Sequence, residues 1–65
     1  MIKANGQDYQ LQPNTRLVDF LNQMNLAPER VIIERNKVAL TTDESKNVIL
    51  ENGDNLEIVK IVAGG

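Results

Sequence analysis

Apolar and polar positions alternate at both ends of this chain and fall at helical spacing in between. Ile2-Lys3-Ala4 alternates, a short strand signal. Asn5-Gly6 follows, and both positions tolerate the positive φ of a type I′ hairpin turn. Tyr9-Gln10-Leu11 alternates again, so residues 1–11 read as a β-hairpin that Pro13-Asn14 closes. Leu17, Phe20, Leu21 and Met24 then fall at i, i+3, i+4 and i+7, one apolar stripe of a helix. Thr15 is the expected N-cap. Asp19 stands near the helix start, where the dipole favours an anion. Asn25 is the expected left-handed terminator, with Leu26 folding back on the last turn. Phe20 and Met24 also admit a binding-groove reading, but a stripe of this kind ordinarily covers a sheet, and that is the reading taken.

Ala27-Pro28-Glu29-Arg30 reads as a loop, because proline disfavours helix at the residue before it. Val31-Ile32-Ile33 opens a third strand, and three apolar residues in a row leave its inward face open. Asn36-Lys37 is a second tight-turn candidate, and Val38-Ala39-Leu40 a short fourth strand. Thr41 and Glu44 have capping-box spacing, which predicts one short helical turn. Asp43 and Glu44 lie in a polar stretch without a partner acid or base, so a solvated helix start outranks a carboxylate site. Val48 and Leu50 can plug the core. Glu51-Asn52-Gly53-Asp54 is a turn, with Asp54 expected in an Asx-type role. Residues 56–62 form the last strand. Leu56 and Ile58 share one face with Lys60, and Glu57, Val59 and Ile61 share the other. With the core on the first face, Val59 and Ile61 point out. Two readings of them stand: a docking patch, or β-formers on a solvated face.

Composition narrows the chemistry. A chain of 65 residues is expected to form one domain, residues 1–65. A domain of about 60 residues buries only about 60% of its unfolded surface, which leaves no room for a cofactor cavity. The net charge of −2 gives no basic footprint for nucleic acid. No apolar run approaches the ~20 residues of a membrane span, and the start has no signal-peptide core. Cysteine and histidine are both absent. Thiol nucleophiles, thiolate metal sites and histidine-based triads are therefore excluded within this sequence.

The sequence finishes Val62-Ala63-Gly64-Gly65. Without Cβ atoms, the last two residues can thread a narrow channel in another protein. A terminal carboxylate there would be ionised at neutral pH, with a reference pKa of roughly 3.3–3.7. It is a poor electrophile until activated. Residues 63–65 are expected to be a flexible tail.

The order β-β-α-β-β-short helix-β predicts an α+β fold, a mixed sheet of about five strands against one main helix. With the terminal Gly-Gly it resembles the ubiquitin-like β-grasp sulfur carriers of the ThiS/MoaD family. The resemblance runs along the whole chain: Asn5-Gly6, Thr15-Arg16-Leu17-Val18-Asp19-Phe20-Leu21, Val31-Ile32-Ile33-Glu34-Arg35-Asn36, Gly53-Asp54-Asn55-Leu56-Glu57-Ile58-Val59 and the closing Val62-Ala63-Gly64-Gly65. Asn36-Lys37 departs from the Asn-Gly of many relatives. The short chain and the proline-free Lys60-Ile61-Val62 favour the thiamine branch over the molybdopterin branch.

The resemblance implies a carrier, not an enzyme. Gly65 would be adenylated by a ubiquitin-activating-type enzyme, converted to a thiocarboxylate, and would donate sulfur to thiazole synthase. Val62, Ala63 and Gly64 would enter the partner's channel, and Val59 and Ile61 would dock. The chain would bind no cofactor; ATP and a sulfur-donor protein serve the partner enzyme. A cytoplasmic protein, monomeric when free, is expected. Molybdopterin synthesis, tRNA thiolation and lysine-linked protein modification are the alternative uses of the same terminus.

Overall fold

The computed structural model describes residues 1–61. Five strands form one sheet: β1 (Ile2–Ala4), β2 (Gln7–Tyr9), β3 (Val31–Arg35), β4 (Val38–Leu40) and β5 (Asn55–Lys60). Their order across the sheet is β2-β1-β5-β3-β4. The last strand therefore lies in the middle, parallel to β1 and antiparallel to β3. One main helix, α1 (Leu17–Gln23), covers one face, and a single turn, α2 (Thr42–Ser45), follows β4. This is the ubiquitin-like β-grasp arrangement.

The local signals that shape it are physical and mostly short-range. Asn5 and Gly6 take φ of 50° and 80°, the two positive values that a type I′ turn needs. Asn36 and Lys37 make the second hairpin with φ of 52° and 71°. The helix stops at a Schellman motif: Asn25 has φ 59°, its N–H donates to Asn22 O, and Leu26 N–H donates to Leu21 O at 2.8 Å. The α2 capping box is complete, with Glu44 N–H on Thr41 Oγ1 and Thr41 N–H on Glu44 Oε1.

The core is the helical stripe against the inner sheet face. Leu17, Phe20 and Leu21 are buried against Ile2, Ala4, Val31, Ile33, Leu56 and Ile58, with Leu50 closing one end. Met24 and Val48 pack at its margin. Tyr9 meets Phe20 edge-on, ring centroids 5.2 Å apart. Each fully buried large side chain contributes about 1.5–3 kcal/mol. Most of the stabilisation of so small a domain therefore comes from these few residues.

Four expectations need correction. The second strand stops at Tyr9, because its partner β1 begins at Ile2, opposite Tyr9; the Met1 carbonyl accepts from Gly53 N–H instead. Thr15 does not cap the helix. Its hydroxyl donates to Gln12 O at 2.6 Å, and the N-cap is Arg16, without a side-chain bond. An antiparallel bridge between Arg16 and Ile49 holds the helix start, with Leu17 N–H on Val48 O and Leu50 N–H on Thr15 O. Main-chain bonds thus replace the side-chain cap. The expected loop at 27–30 is a 3₁₀ turn, Pro28–Arg30, because proline presets φ at its first position and Arg30 N–H closes on Ala27 O. Finally, β5 starts at Asn55 and ends at Lys60, although Ile61 N–H still bonds Arg30 O at 2.9 Å.

Candidate docking face and approach to the terminus

Strand β5 is pinned on both sides before it delivers the last residues of the sequence. Toward β3 it pairs over five positions, from Arg35↔Leu56 to Val31↔Lys60. Toward β1 it pairs only at Asn55 and Leu56, because β1 ends at Ala4. Asn5 prolongs that short edge: its side chain bonds both the amide and the carbonyl of Ile58. An asparagine side chain carries the same donor and acceptor as a peptide unit, so it stands in for the missing strand residue.

Alternation along β5 buries Leu56 and Ile58 and turns Glu57 and Val59 outward. Val59 is 60% exposed and Ile61 52%. The register adds a third apolar residue, since Ile32 stands directly opposite Val59 and is 54% exposed. The inward face of β3, open in the sequence, is thereby settled: Val31 and Ile33 point in. One row away on the outer face, Glu34 is opposite Glu57. Ile32, Glu34 and Glu57 were not singled out as site residues. Cross-strand register was the missing signal, and it is not readable from a uniformly apolar run.

At the exit end, Ile61 borders a shallow cleft with Asn25, Leu26, Ala27, Arg30 and Lys60. The helix terminus and the 3₁₀ turn thus frame the point from which the chain continues. Val62, Ala63, Gly64 and Gly65, and the expected flexibility of 63–65, lie outside the described residues.

The one buried carboxylate among the described residues is at the other end of β5. Asp54 accepts from Glu51 N–H, Asn36 Nδ2 and Arg35 Nε, with Arg35 Nη2 at 2.9 Å. Burial pushes its carboxyl pKa up, but the Glu51, Asn36 and Arg35 hydrogen bonds together outweigh burial and hold it below the usual value. The expected Asx-type turn is not formed, because the Asp54 carboxylate accepts from Glu51 N–H three residues before it rather than from an amide ahead. The carboxylate ties the 51–54 turn to the β3–β4 hairpin, leaving its oxygens occupied rather than poised for chemistry. Among the described residues, no group of three or more metal-ligating side chains is brought together, and no helix is long and apolar enough to cross a membrane.

Comparison with known proteins says which family has this architecture. The ThiS family model matches residues 2–65. The chain belongs to the ThiS family. Over 64 residues, 98% of its length, this ThiS-family chain is 33% identical to a protein named thiazole synthase from Magnetococcus marinus. It spans only 20% of that longer protein. It is also 31% identical to uncharacterized proteins ycf40 from Trieres chinensis, covering 94% of this chain and 84% of that one, and from Pyropia yezoensis, covering 98% and 90%.

Proposed function

We propose that this chain is a cytoplasmic sulfur carrier for thiazole formation in thiamine biosynthesis, with its reactive group at the Gly65 carboxylate. The observation that carries the reading is the ThiS family match, which runs through Gly65. The name of the Magnetococcus relative supports thiazole synthase as the sulfur acceptor.

The chemistry divides between this chain and its partners. A Gly65 carboxylate oxygen attacks the α-phosphorus of ATP held by a ubiquitin-activating-type enzyme, and pyrophosphate leaves. The mixed anhydride makes the carbonyl carbon electrophilic. A hydrosulfide ion supplied by a sulfur-donor protein attacks it, AMP leaves with the C–O electron pair, the S–H proton is lost to solvent, and a thiocarboxylate remains. No side chain of this chain takes part, consistent with a sequence without cysteine or histidine. ATP and sulfur donor belong to the partners, and the free carrier is monomeric. Val59 and Ile61 dock, and Val62, Ala63 and Gly64 enter the partner's channel. Residues 63–65 reach about 10 Å at most, at ~3.3–3.6 Å per residue, so the ATP site lies close to the docking face.

Intact-mass analysis tests the proposal. The chain is incubated with the adenylating enzyme of the same genome, ATP and a sulfur source. The expected product is heavier by the difference between sulfur and oxygen, and it forms only with ATP. No mass change with an active adenylating enzyme would overturn the proposal.

A further inference from the structure

The outer face of β3 and β5 carries a pairing that the fold itself does not favour. Glu34 and Glu57 stand directly opposite one another. Asn36 N–H on Asn55 O and Ile61 N–H on Arg30 O mark hydrogen-bonded positions at the two ends of this ladder. Counting inward by twos makes Ile32–Val59 and Glu34–Glu57 hydrogen-bonded pairs as well, with Cα atoms about 5.5 Å apart. Like charges placed so repel. Both glutamates are exposed. The ion pairs among the described residues are Lys3–Asp8, Arg35–Asp54 and Lys46–Glu29, and neither glutamate enters one. Lys3 shares the outer face, opposite Asn55, but its ammonium lies 3.8 Å from Asp8. On the far side of Glu34 the neighbour is Ala39, small and exposed, which leaves that flank of the carboxylates open. The next row of the face is Ile32–Val59.

We propose that this face receives a protein surface that sets an arginine or lysine between Glu34 and Glu57 and apolar side chains on Ile32 and Val59. A cation between the two carboxylates removes a repulsion that the free chain carries. The apolar row supplies contact area, and the acidic row sets register and speeds encounter. Guanidinium suits the site better than ammonium, because its planar fork can donate to both carboxylates at once. The identity of the partner rests on the carrier reading: it is the adenylating enzyme. The pairing on the face does not depend on that reading.

Calorimetric titration of the full chain with the adenylating enzyme of the same genome, at low and moderate salt, tests this. Glu34→Gln and Glu57→Gln should each weaken binding by about tenfold, as loss of a paired interfacial charge does. The double variant should flatten the salt dependence. Its melting temperature should equal or exceed the wild-type value, since a repulsion has been removed. Glu57→Lys should raise the melting temperature, by pairing with Glu34, while weakening binding further. A folded double variant with wild-type affinity and salt dependence would overturn the inference, as would no binding by the wild-type chain. Thiocarboxylate formation is scored in parallel. If the wild-type chain forms it and the double variant binds normally, the docking inference falls and the carrier reading stands. If binding weakens as expected but the product never forms, the docking inference stands and the carrier reading falls.

Discussion

The side chain of Asn5 holds the backbone of Ile58 by two hydrogen bonds, Oδ1 accepting from the amide at 2.7 Å and Nδ2 donating to the carbonyl at 3.0 Å. Ile58 and Ile33 are a non-hydrogen-bonded pair in the β3–β5 ladder, so the Ile58 peptide groups point toward β1. There β1 has already ended. Asn5→Gly keeps the positive φ of the turn and removes only these two bonds. It should lower stability by about 2 kcal/mol, the cost of leaving two part-buried backbone groups without partners. Urea unfolding checks it, and a glycine variant as stable as wild type would show that water replaces the side chain at no cost.

Asp54 should make the fold acid-sensitive. Its folded carboxyl pKa is held below the unfolded value by the Glu51, Asn36 and Arg35 hydrogen bonds, against burial. The stabilisation is therefore complete above the unfolded pKa of about 3.9 and is lost as pH falls through the folded pKa. Asp54→Asn should lose about 2–3 kcal/mol at neutral pH, less than for a fully buried pair because Arg35 keeps some solvent contact. Its stability should then fall less steeply than wild type below about pH 4. Glu29 and Glu44 are also held low, each mainly by a backbone hydrogen bond, and their pH dependence is common to both proteins. The wild-type minus variant difference, measured by urea unfolding from pH 2 to 7 (roughly the carboxylate range), isolates Asp54.

Lys37 occupies a backbone conformation that side chains resist. Its φ is 71°, next to Asn36 at 52°. A left-handed residue other than glycine costs roughly 1–2 kcal/mol, and glycine loses part of that gain through unfolded-state entropy. Lys37→Gly should therefore stabilise by about 0.5–1 kcal/mol, read as a raised thermal midpoint. A lower midpoint would mean that the lysine side chain makes up the strain elsewhere.

How much of this was legible depended on how local each signal is. Asn5-Gly6, the Thr41–Glu44 box and the Asn25 terminator are complete within a few residues, and each forms as its neighbours dictate. Thr15 has equally good local chemistry, but the bridge between Arg16 and Ile49 overrides it, and that pairing spans a separation no local rule sees. Val59 was readable as outward because Leu56 and Ile58 fix the phase of β5. Ile32 was not, because Val31 and Ile33 flank it with the same character. The Glu34–Glu57 and Arg35–Asp54 relationships are both set by how β3 registers against β5. The chemistry assigned to Gly65 came from family resemblance, since its own residues supply only reach and a carboxylate.

Outward and inward positions on β5 should respond oppositely to charge. Ile58 is buried, so Ile58→Asp should destabilise by several kcal/mol through an unpaired buried carboxylate. Val59 is exposed, so Val59→Asp should stay within about 1 kcal/mol of wild type in urea. Its affinity for the adenylating enzyme should nevertheless fall by about 2 kcal/mol or more if it anchors the docked face. Unchanged affinity for both Val59→Asp and Ile61→Asp would leave them as β-formers on a solvated surface.

The most direct test of the carrier reading compares the chain ending at Gly65 with one extended beyond it by two residues that cannot be cleaved. Both are incubated with adenylating enzyme, ATP and a sulfur source, and their intact masses are compared. The chain ending at Gly65 should exchange one oxygen for sulfur, and the extended chain, equally stable in urea, should remain unchanged. If the extended chain acquires sulfur without losing its added residues, the Gly65 carboxylate is not the reactive group.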